Sequence, residues 1–467
     1  MISELTLRYN GIEKLISFSK DGKDNLPQID YINAVFELTE KGKLILKNTY
    51  KEFAYFGAYR CSKSFSQQLA VFLICLLYPG TRAVYIRNSY DQLKDSVIKQ
   101  FNDAFGELNS YEYAKSNRTI TFKNGSTLIF RSFETDKGIL SSEYDVVCVC
   151  QAEDITYDMF LQLLGRASGR VLGPKGILLV EGNPSAGWVK TRYKDATIRK
   201  LEEDAILFIE GQTSDNPFVT KEYCDSLVKN YPKFWLDRFF YGKWSSLEEM
   251  VFSEFKDDMI IDPVDPLNIP ASYKKRNGLD YGWTNKSAIY RSYIDYEGNI
   301  TLYDEFYENK TLPEDLAKWT NKYGDVSTVA DHACKGLKMP TKDDENKTVW
   351  TEMERFGAKL IPCNKNQMGN IVLVNTLMKQ GRFKITKNCV NGIREIKNWK
   401  WKKAKLGSTK NDSEKPVDKE DHLNDAMLYL IADLFGKHAT DPVETAFKRS
   451  LAFKTQQKSK IDLASLS

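Results

Sequence analysis

Gly57-Ala-Tyr-Arg-Cys-Ser-Lys63-Ser64 follows a short apolar run, Phe53-Ala-Tyr-Phe56, and precedes a mostly apolar segment, 65–78, long enough for a helix. Strand, loop, helix is the context a phosphate-binding loop requires. Backbone N–H groups at a helix N-terminus attract phosphate, a lysine reaches the outer phosphates, and a hydroxyl holds Mg²⁺. On that reading Gly57, Ala58, Tyr59, Arg60, Cys61, Ser62, Lys63 and Ser64 bind nucleotide, with Ser64 on the metal. Ser62 departs from the G-x-x-x-x-G-K-[ST] pattern, which has glycine there. An ordinary loop with one exposed lysine meets so loose a match equally well, so the surrounding sequence has to decide.

Outward from the loop, apolar runs and helical patterns alternate. Residues 82–87 read as a strand, 91–105 as a helix, and 116–131 as a hairpin turning at Asn124-Gly125. Tyr144-Asp-Val-Val-Cys-Val-Cys150 and Gly176-Ile-Leu-Leu-Val-Glu181 read as buried strands. Such alternation predicts an α/β fold, a parallel sheet flanked by helices. Residues 1–50 are mixed and charged, with a helical-looking patch at 31–39; they pack beside the nucleotide or recruit a partner. The aromatic-rich stretch to Trp244 closes the first domain, 51–245. A proline-rich step then marks 246–270 as a linker. The second domain, 271–437, shows β-like runs at 287–294 and 299–306 around a Glu297-Gly298 turn. Helical patterns follow at 313–323, 349–356, 368–380 and 421–435, with strands at 327–331 and 359–362. Residues 438–467 read as a polar, basic tail.

A nucleotide hydrolase needs acids at the end of a neighbouring strand, one for the Mg²⁺ water shell and one to orient the attacking water. The strand ending at Cys150 continues Gln151-Ala-Glu153-Asp154, so cysteine and glutamine stand where the carboxylates are expected. Either Glu153 or Asp154 has taken the role, or the site is weak. Gly182-Asn183-Pro184 places a polar side chain at the carboxyl edge of the sheet, where ligands bind. Arg166 and Arg170 flank small residues after a helix. Either could act as an arginine finger toward a neighbouring subunit, or form an ordinary surface ion pair.

In the second half Asp280 and Asp331 follow or sit within apolar runs. Asp421-His422-Leu-Asn-Asp425 puts two acids on one helix face, with His422 three residues before Asp425. Clustered carboxylates cannot all ionise in a dry site without a cation. Two Mg²⁺ or Mn²⁺ ions would neutralise them and activate water for in-line attack on phosphate. With 63 acidic residues in the chain, three separated aspartates also arise by chance as caps and turns. Asp280, between Leu279 and Tyr281, is the hardest to explain that way. The segment 397–410 is basic and holds Trp399 and Trp401, making Lys402, Lys403 and Lys405 candidate DNA contacts, or simply a solvated basic hairpin.

Composition bounds the rest. A length of 467 residues suits two or three domains, and a net charge of +4 permits a local nucleic-acid patch without demanding one. The absence of a long apolar run predicts no membrane span. The N-terminus lacks the pattern of a signal peptide. Eight scattered cysteines fit a reducing cytoplasm.

Taken together, the chain resembles the large terminase subunit of tailed bacteriophages over about residues 50–436. The resemblance rests on the order and spacing of several pieces. They are the phosphate loop, Ile86-Arg-Asn, Leu140-Ser-Ser142, the Gln-Ala-Glu-Asp stretch and Gly182-Asn183-Pro184. Thr213-Ser-Asp-Asn-Pro217, Tyr241-Gly-Lys-Trp244 and Val251-Phe252 follow. Then come Gly278-Leu-Asp280-Tyr-Gly, Ala330-Asp331 and Asp421-His422-x-x-Asp425-Ala426. The resemblance implies an additional-strand P-loop NTPase domain followed by an RNase H-like nuclease. It implies ATP as cofactor, with Mg²⁺ (or Mn²⁺ in the nuclease). It makes Asn183 the coupling residue, Glu153 and Arg166 catalytic candidates, and Asp280, Asp331, Asp421, His422 and Asp425 the metal set. It further implies packaging of double-stranded DNA by a homo-oligomeric ring docked on a procapsid in the host cytoplasm. Portal protein and small terminase subunit are the implied partners, with no membrane. Ser62, Cys150 and Gln151 depart from the family pattern and put the strength of hydrolysis in question. A portal-docking scaffold with weakened ATPase, and a helicase–nuclease of replication or repair, are the alternatives.

Overall fold

The computed structural model describes residues 2–436 apart from 10–11, 41–42, 48, 137–141, 173–175, 196–205, 245–249, 338–347 and 403–414. The expected 438–467 tail lies outside the described residues. The chain forms two compact units, the first mainly 1–229 with 233–248, the second mainly 249–401 with the helix His422–Phe435.

The first unit is built on an eight-stranded sheet. Its order is Ile206–Gly211, Glu52–Gly57, Ile177–Gly182, Val146–Val149, Arg82–Arg87, Thr127–Ser132, Thr119–Phe122, Tyr111–Ala114. The strands from 206–211 through 127–132 run parallel, and the last two join as antiparallel ribbons. Unbroken apolar runs such as Phe53-Ala-Tyr-Phe56 arise because each strand is covered on both faces. One face packs on helix Lys63–Leu77, joining Phe53, Tyr55, Cys148, Leu179 and Leu69–Cys75 in a single core. The other buries Ala54, Phe56, Val147, Val149, Leu178 and Val180. The strand 177–182 is inserted between the phosphate-loop strand and the strand leading to Cys150, which is the additional-strand order.

Residues 1–50 join this unit. Helix Leu26–Val35 starts at Asn25, whose side chain accepts a hydrogen bond from the Gln28 N–H. Ile29, Tyr31, Ile32 and Val35 enter the same core as Phe53 and Tyr55. The helical patch expected at 31–39 therefore ends early. Phe36–Leu38 instead pairs antiparallel with Leu44–Leu46, a tertiary pairing overriding local pattern.

The second unit holds a seven-stranded sheet ordered Ile260–Ile261, Phe383–Thr386, Ile300–Asn309, Lys286–Ile294, Lys274–Asp280, Thr328–Ala330, Leu360–Pro362. Strands 274–280, 286–294 and 300–309 form an antiparallel meander, while 328–330 and 360–362 continue parallel to 274–280. This is the RNase H order with two strands added at one edge. Helix His422–Phe435 crosses strand 274–280 so closely that a Cβ on Gly278 would stand 2.1 Å from the Ala426 carbonyl oxygen. Only glycine allows that approach, and it brings Asp425 to the end of the strand carrying Asp280. The 246–270 segment, expected as a linker, is packed into this unit where described. Val251, Phe252, Met259 and Ile269 are buried, and Ile260–Ile261 is an edge strand. Among the described residues no helix is long and apolar enough to cross a membrane. All eight cysteines are unpaired.

Candidate active sites

In the first unit the loop leaves strand 52–57 at Gly57 and enters helix 63–77 at Lys63. Arg60 and Ser62 both take left-handed backbone, with φ of 59° and 78°. The second turn explains why glycine is usual at position 62. The serine holds the conformation without glycine's freedom, and its hydroxyl accepts a 3.0 Å hydrogen bond from the Asn25 amide. Ser62 makes no side-chain cap, so the helix N-terminus stays open toward an anion. The Lys63 ammonium is buried and donates to the Ala58 carbonyl at 3.0 Å. The loop is pinned from behind: Ala58 N–H donates to Gly211 O at 2.9 Å, and Tyr59 N–H to Phe239 O at 2.8 Å. Asn216 donates to Arg60 O at 2.7 Å. The donor set fits a nucleotide polyphosphate with Mg²⁺: a helix N-terminus, an ammonium and the Ser64 hydroxyl.

At the neighbouring strand ends, Gln151 has a φ of 51° and Ala152–Asp154 forms a 3₁₀ turn. That turn carries Glu153 into a buried position where its carboxylate accepts from Asn183 at 2.6 Å. The two residues singled out at separate points in the sequence are therefore in contact. Burial, then the charges of Asp154 and Glu181, push the Glu153 carboxyl up to about 8. Gln151 is held by the Arg87 guanidinium. Arg87, at the carboxyl end of its strand, and Glu181 both belong to this edge and were not among the expected site residues. Arg166 lies elsewhere. Its carbonyl accepts from Tyr144 N–H at 2.9 Å, at the amino end of the strand 146–149 and away from the phosphate edge. Within one chain it is not brought to Lys63.

In the second unit, strands 274–280 and 328–330 are parallel neighbours with Leu279 beside Ala330, so Asp280 and Asp331 leave adjacent strand ends together. Helix 422–435 brings Asp421, His422 and Asp425 to the same edge. His422 Nδ1 lies 3.0 Å from Asp280 Oδ2, and this hydrogen bond raises the imidazole's pKa. Burial, then Asp280 and Asp421, push Asp425 up to about 8. Burial, then Asp418, push Asp421 to about 6. Asp331 differs. Burial raises it, but a 2.7 Å ion pair with Lys365 and the Ala333 N–H outweigh that and hold it below the usual range. Lys365 sits on the loop after strand 360–362, and nothing in its local sequence marks it. Glu395, also unexpected, accepts from the N–H groups of Leu423 and Asn424 at 2.8 and 3.3 Å and fixes the start of the acidic helix.

Among the described residues no three His, Cys, Asp or Glu side chains are already gathered closely enough to hold a metal. The chemistry of the donors nevertheless fits a hard divalent cation. Asp280 helps to raise both Asp421 and Asp425, Asp421 helps to raise Asp425, and a cation relieves that repulsion. The consequence is measurable. In the metal-free fold Asp425 keeps its proton to higher pH than in the unfolded chain, so the fold binds more protons and stability falls as pH rises through about 8. Melting temperature in EDTA should drop between about pH 5 and about pH 8.5, with a limiting slope near 1.4 kcal/mol per pH unit for the one group. Asp425→Asn should lessen the slope by that one group's share, Glu153 keeping its own, and Mn²⁺ should raise the melting temperature more at the alkaline end. An unchanged slope in Asp425→Asn would remove the carboxyl cluster as its cause.

The basic segment offers less than expected. Trp399 and Trp401 are buried, the first donating to Val417 O at 2.9 Å, so neither indole face is available to stack on bases. Lys402 is half-buried, while Lys403 and Lys405 lie outside the described residues.

Fold and strand order together define a P-loop-type α/β unit followed in one chain by a unit of RNase H-like fold. Residues 49–234 match the family model described as phage terminase large subunit. That match spans the phosphate loop and most of the first unit. The large terminase of a thermophilic bacteriophage, in its crystal form 2, aligns with a TM-score of 0.66 and 17% identity, covering 87% of this chain and 98% of that one. The ADP complex of the same phage protein gives a TM-score of 0.65 at 17% identity, with the same coverage. Its ATP-gamma-S complex gives 0.64 at 18%, again covering 87% and 98%. At such identity the likeness speaks for the fold. No curated protein sequence matches the chain.

Proposed function

We propose that the chain is the motor and nuclease of phage DNA packaging. It drives double-stranded DNA into a procapsid with ATP and cuts concatemeric DNA with a divalent metal. The observation that carries this reading is the presence, in one chain, of two sheets that each collect acids at the carboxyl ends of their strands. One collects them beside a phosphate loop and the other on an RNase H order. Lys63 and Ser64 hold ATP and Mg²⁺, a use supported by the ADP and ATP-gamma-S complexes of the thermophilic phage protein. Asn183, bonded to Glu153, couples the strand end to the loop that follows it, and Glu153 orients the attacking water. Arg166 would act only on a neighbouring subunit of a homo-oligomeric ring. Asp280, Asp421, Asp425 and Asp331 hold the nuclease metals, with His422 orienting Asp280. Metal ions there would neutralise charge at the scissile phosphate and supply hydroxide as nucleophile. Lys402, Lys403 and Lys405 contact the DNA backbone. Portal protein and small terminase subunit are the partners, met in the host cytoplasm during assembly.

One observation favours a second reading. Cys150 and Gln151 cannot act as the two missing carboxylates, which would suit a nucleotide-binding scaffold docked on a portal. ATP turnover in the presence of portal-bearing procapsids and linear DNA separates the two. A motor shows DNA-dependent turnover and leaves DNA protected from added nuclease. A scaffold binds nucleotide with neither.

A further inference from the structure

The strand inserted between the phosphate-loop strand and the Cys150 strand reads Ile177-Leu-Leu-Val-Glu-Gly182, and its one charged residue is buried, 1% exposed. Val149 pairs with Val180, so Cys150 and Glu181 stand level on adjacent strands, and Glu181 is also level with Tyr55 on the other side. Side chains alternate along a strand. Ile177 and Leu179 face the phosphate-loop helix with Cys148, Cys150, Tyr55 and Cys61, whereas Leu178 and Val180 face the opposite core. Glu181 therefore points to the helix side, level with the cysteine that replaces the usual metal-shell acid and one strand nearer the loop. Gln67, on the phosphate-loop helix, ties the two strands together by donating to Val149 O at 3.0 Å and Leu179 O at 2.7 Å.

Glu153 approaches from the other face. A Cβ on Gly182 would stand 2.3 Å from Glu153 Oε2 and 2.8 Å from the Phe56 ring, which belongs to the opposite core. The two carboxylates thus flank one strand end from opposite sides. Glu181 Oε1 accepts from the Gln151 N–H at 3.2 Å, and the Cys150 thiol stands beside the same carboxylate, its pKa raised by it after burial; Oε2 is buried without a geometric hydrogen bond among the described residues. A buried carboxylate oxygen left unanswered is costly, and an apolar residue would serve a purely structural strand end better.

We propose that Glu181 supplies the carboxylate missing at Cys150: it accepts hydrogen bonds from the water shell of the Mg²⁺ that Ser64 and the nucleotide phosphates hold. The acid has moved sideways by one strand instead of onward along the chain. Glu153 is then left to work through Asn183. This assignment rests on the nucleotide-binding reading of the loop.

The test is calorimetric titration of ADP into the full-length protein across a Mg²⁺ series, for wild type, Glu181→Gln and Cys150→Asp/Glu181→Gln. Loss of an outer-shell metal partner typically costs 10- to 100-fold, so Glu181→Gln should raise the Mg²⁺ concentration needed for tight ADP binding by roughly that factor. Its affinity for ADP in EDTA should stay unchanged, and the double variant should recover the wild-type Mg²⁺ dependence. An unchanged Mg²⁺ dependence in Glu181→Gln overturns the proposal. Absence of any ADP binding by wild type overturns instead the nucleotide reading beneath it. If Glu181→Gln does not fold, Glu181→Asp withdraws the carboxylate by one methylene. It should show the same rise, and wild-type Mg²⁺ dependence there is equally fatal.

Discussion

Asp280→Asn should abolish cleavage of supercoiled plasmid in Mg²⁺ or Mn²⁺ while leaving ADP affinity unchanged. The substitution keeps shape and a hydrogen-bonding oxygen for His422, so the strand end and its 3.0 Å contact can persist. What it removes is one unit of negative charge at the point where strand 274–280 meets helix 422–435. A catalytic metal contributes several kcal/mol of charge stabilisation, and each 1.36 kcal/mol is tenfold in rate, so the loss should reach about a thousandfold or more. Asp280 should dominate over Asp331, whose charge is already answered by Lys365 at 2.7 Å. The nucleotide loop belongs to the other unit, which is why ADP binding serves as the control for folding. Wild-type cleavage by the purified variant would dismiss Asp280 as a metal ligand.

The contrast between Asp280 and Glu181 shows what this sequence discloses. Asp280 was conspicuous because it interrupts an apolar run just before a Tyr-Gly turn, where a charge needs a reason. Glu181 ends an apolar run of the same kind, yet before Gly-Asn-Pro it reads only as the last residue of a buried strand, with no role assigned. The role proposed for it comes from strand order, because 177–182 lies between two strands that are distant in sequence, and no local pattern reports that. Lys365 is invisible for the same reason, reaching Asp331 only because strands 328–330 and 360–362 are parallel neighbours. Local chemistry was legible where it is local. The Asn124-Gly125 turn, the strand–loop–helix around Gly57–Lys63, the Asp421–Asp425 spacing and most strands fall where pattern puts them. Helix 26–35 was also signalled, by Asn25 followed by Pro27 at the helix start, but the aromatic patch after Tyr31 drew the expectation downstream. Trp399 and Trp401 misled in the opposite direction. Flanking lysines suggested an exposed surface, whereas the indoles serve as core and the charged heads alone remain candidates.

Lys63→Ala should remove ATP turnover, lowering kcat by roughly 10²- to 10³-fold, the usual cost of deleting one preorganised electrostatic contact to a transferring phosphoryl group. The buried ammonium donates to the Ala58 carbonyl at 3.0 Å, and that bond holds it against the loop where the proposed nucleotide phosphates would lie. Alanine leaves the left-handed turn at Ser62 and the Asn25 contact intact, so the loop should keep its course and the loss should fall on catalysis and phosphate affinity. Glu153→Ala should lower turnover for a different reason. It leaves Asn183 without the 2.6 Å partner that fixes its amide and removes the carboxylate proposed to orient the attacking water. Because burial pushes the Glu153 carboxyl up to about 8, wild-type turnover should climb with pH until it ionises, and Glu153→Ala should lose that climb along with its rate. Steady-state phosphate release across a pH series measures all three proteins. Undiminished turnover in Lys63→Ala would mean that hydrolysis occurs elsewhere. A preserved pH rise in Glu153→Ala would move the base to another residue, while the P-loop assignment would stand on Lys63 alone.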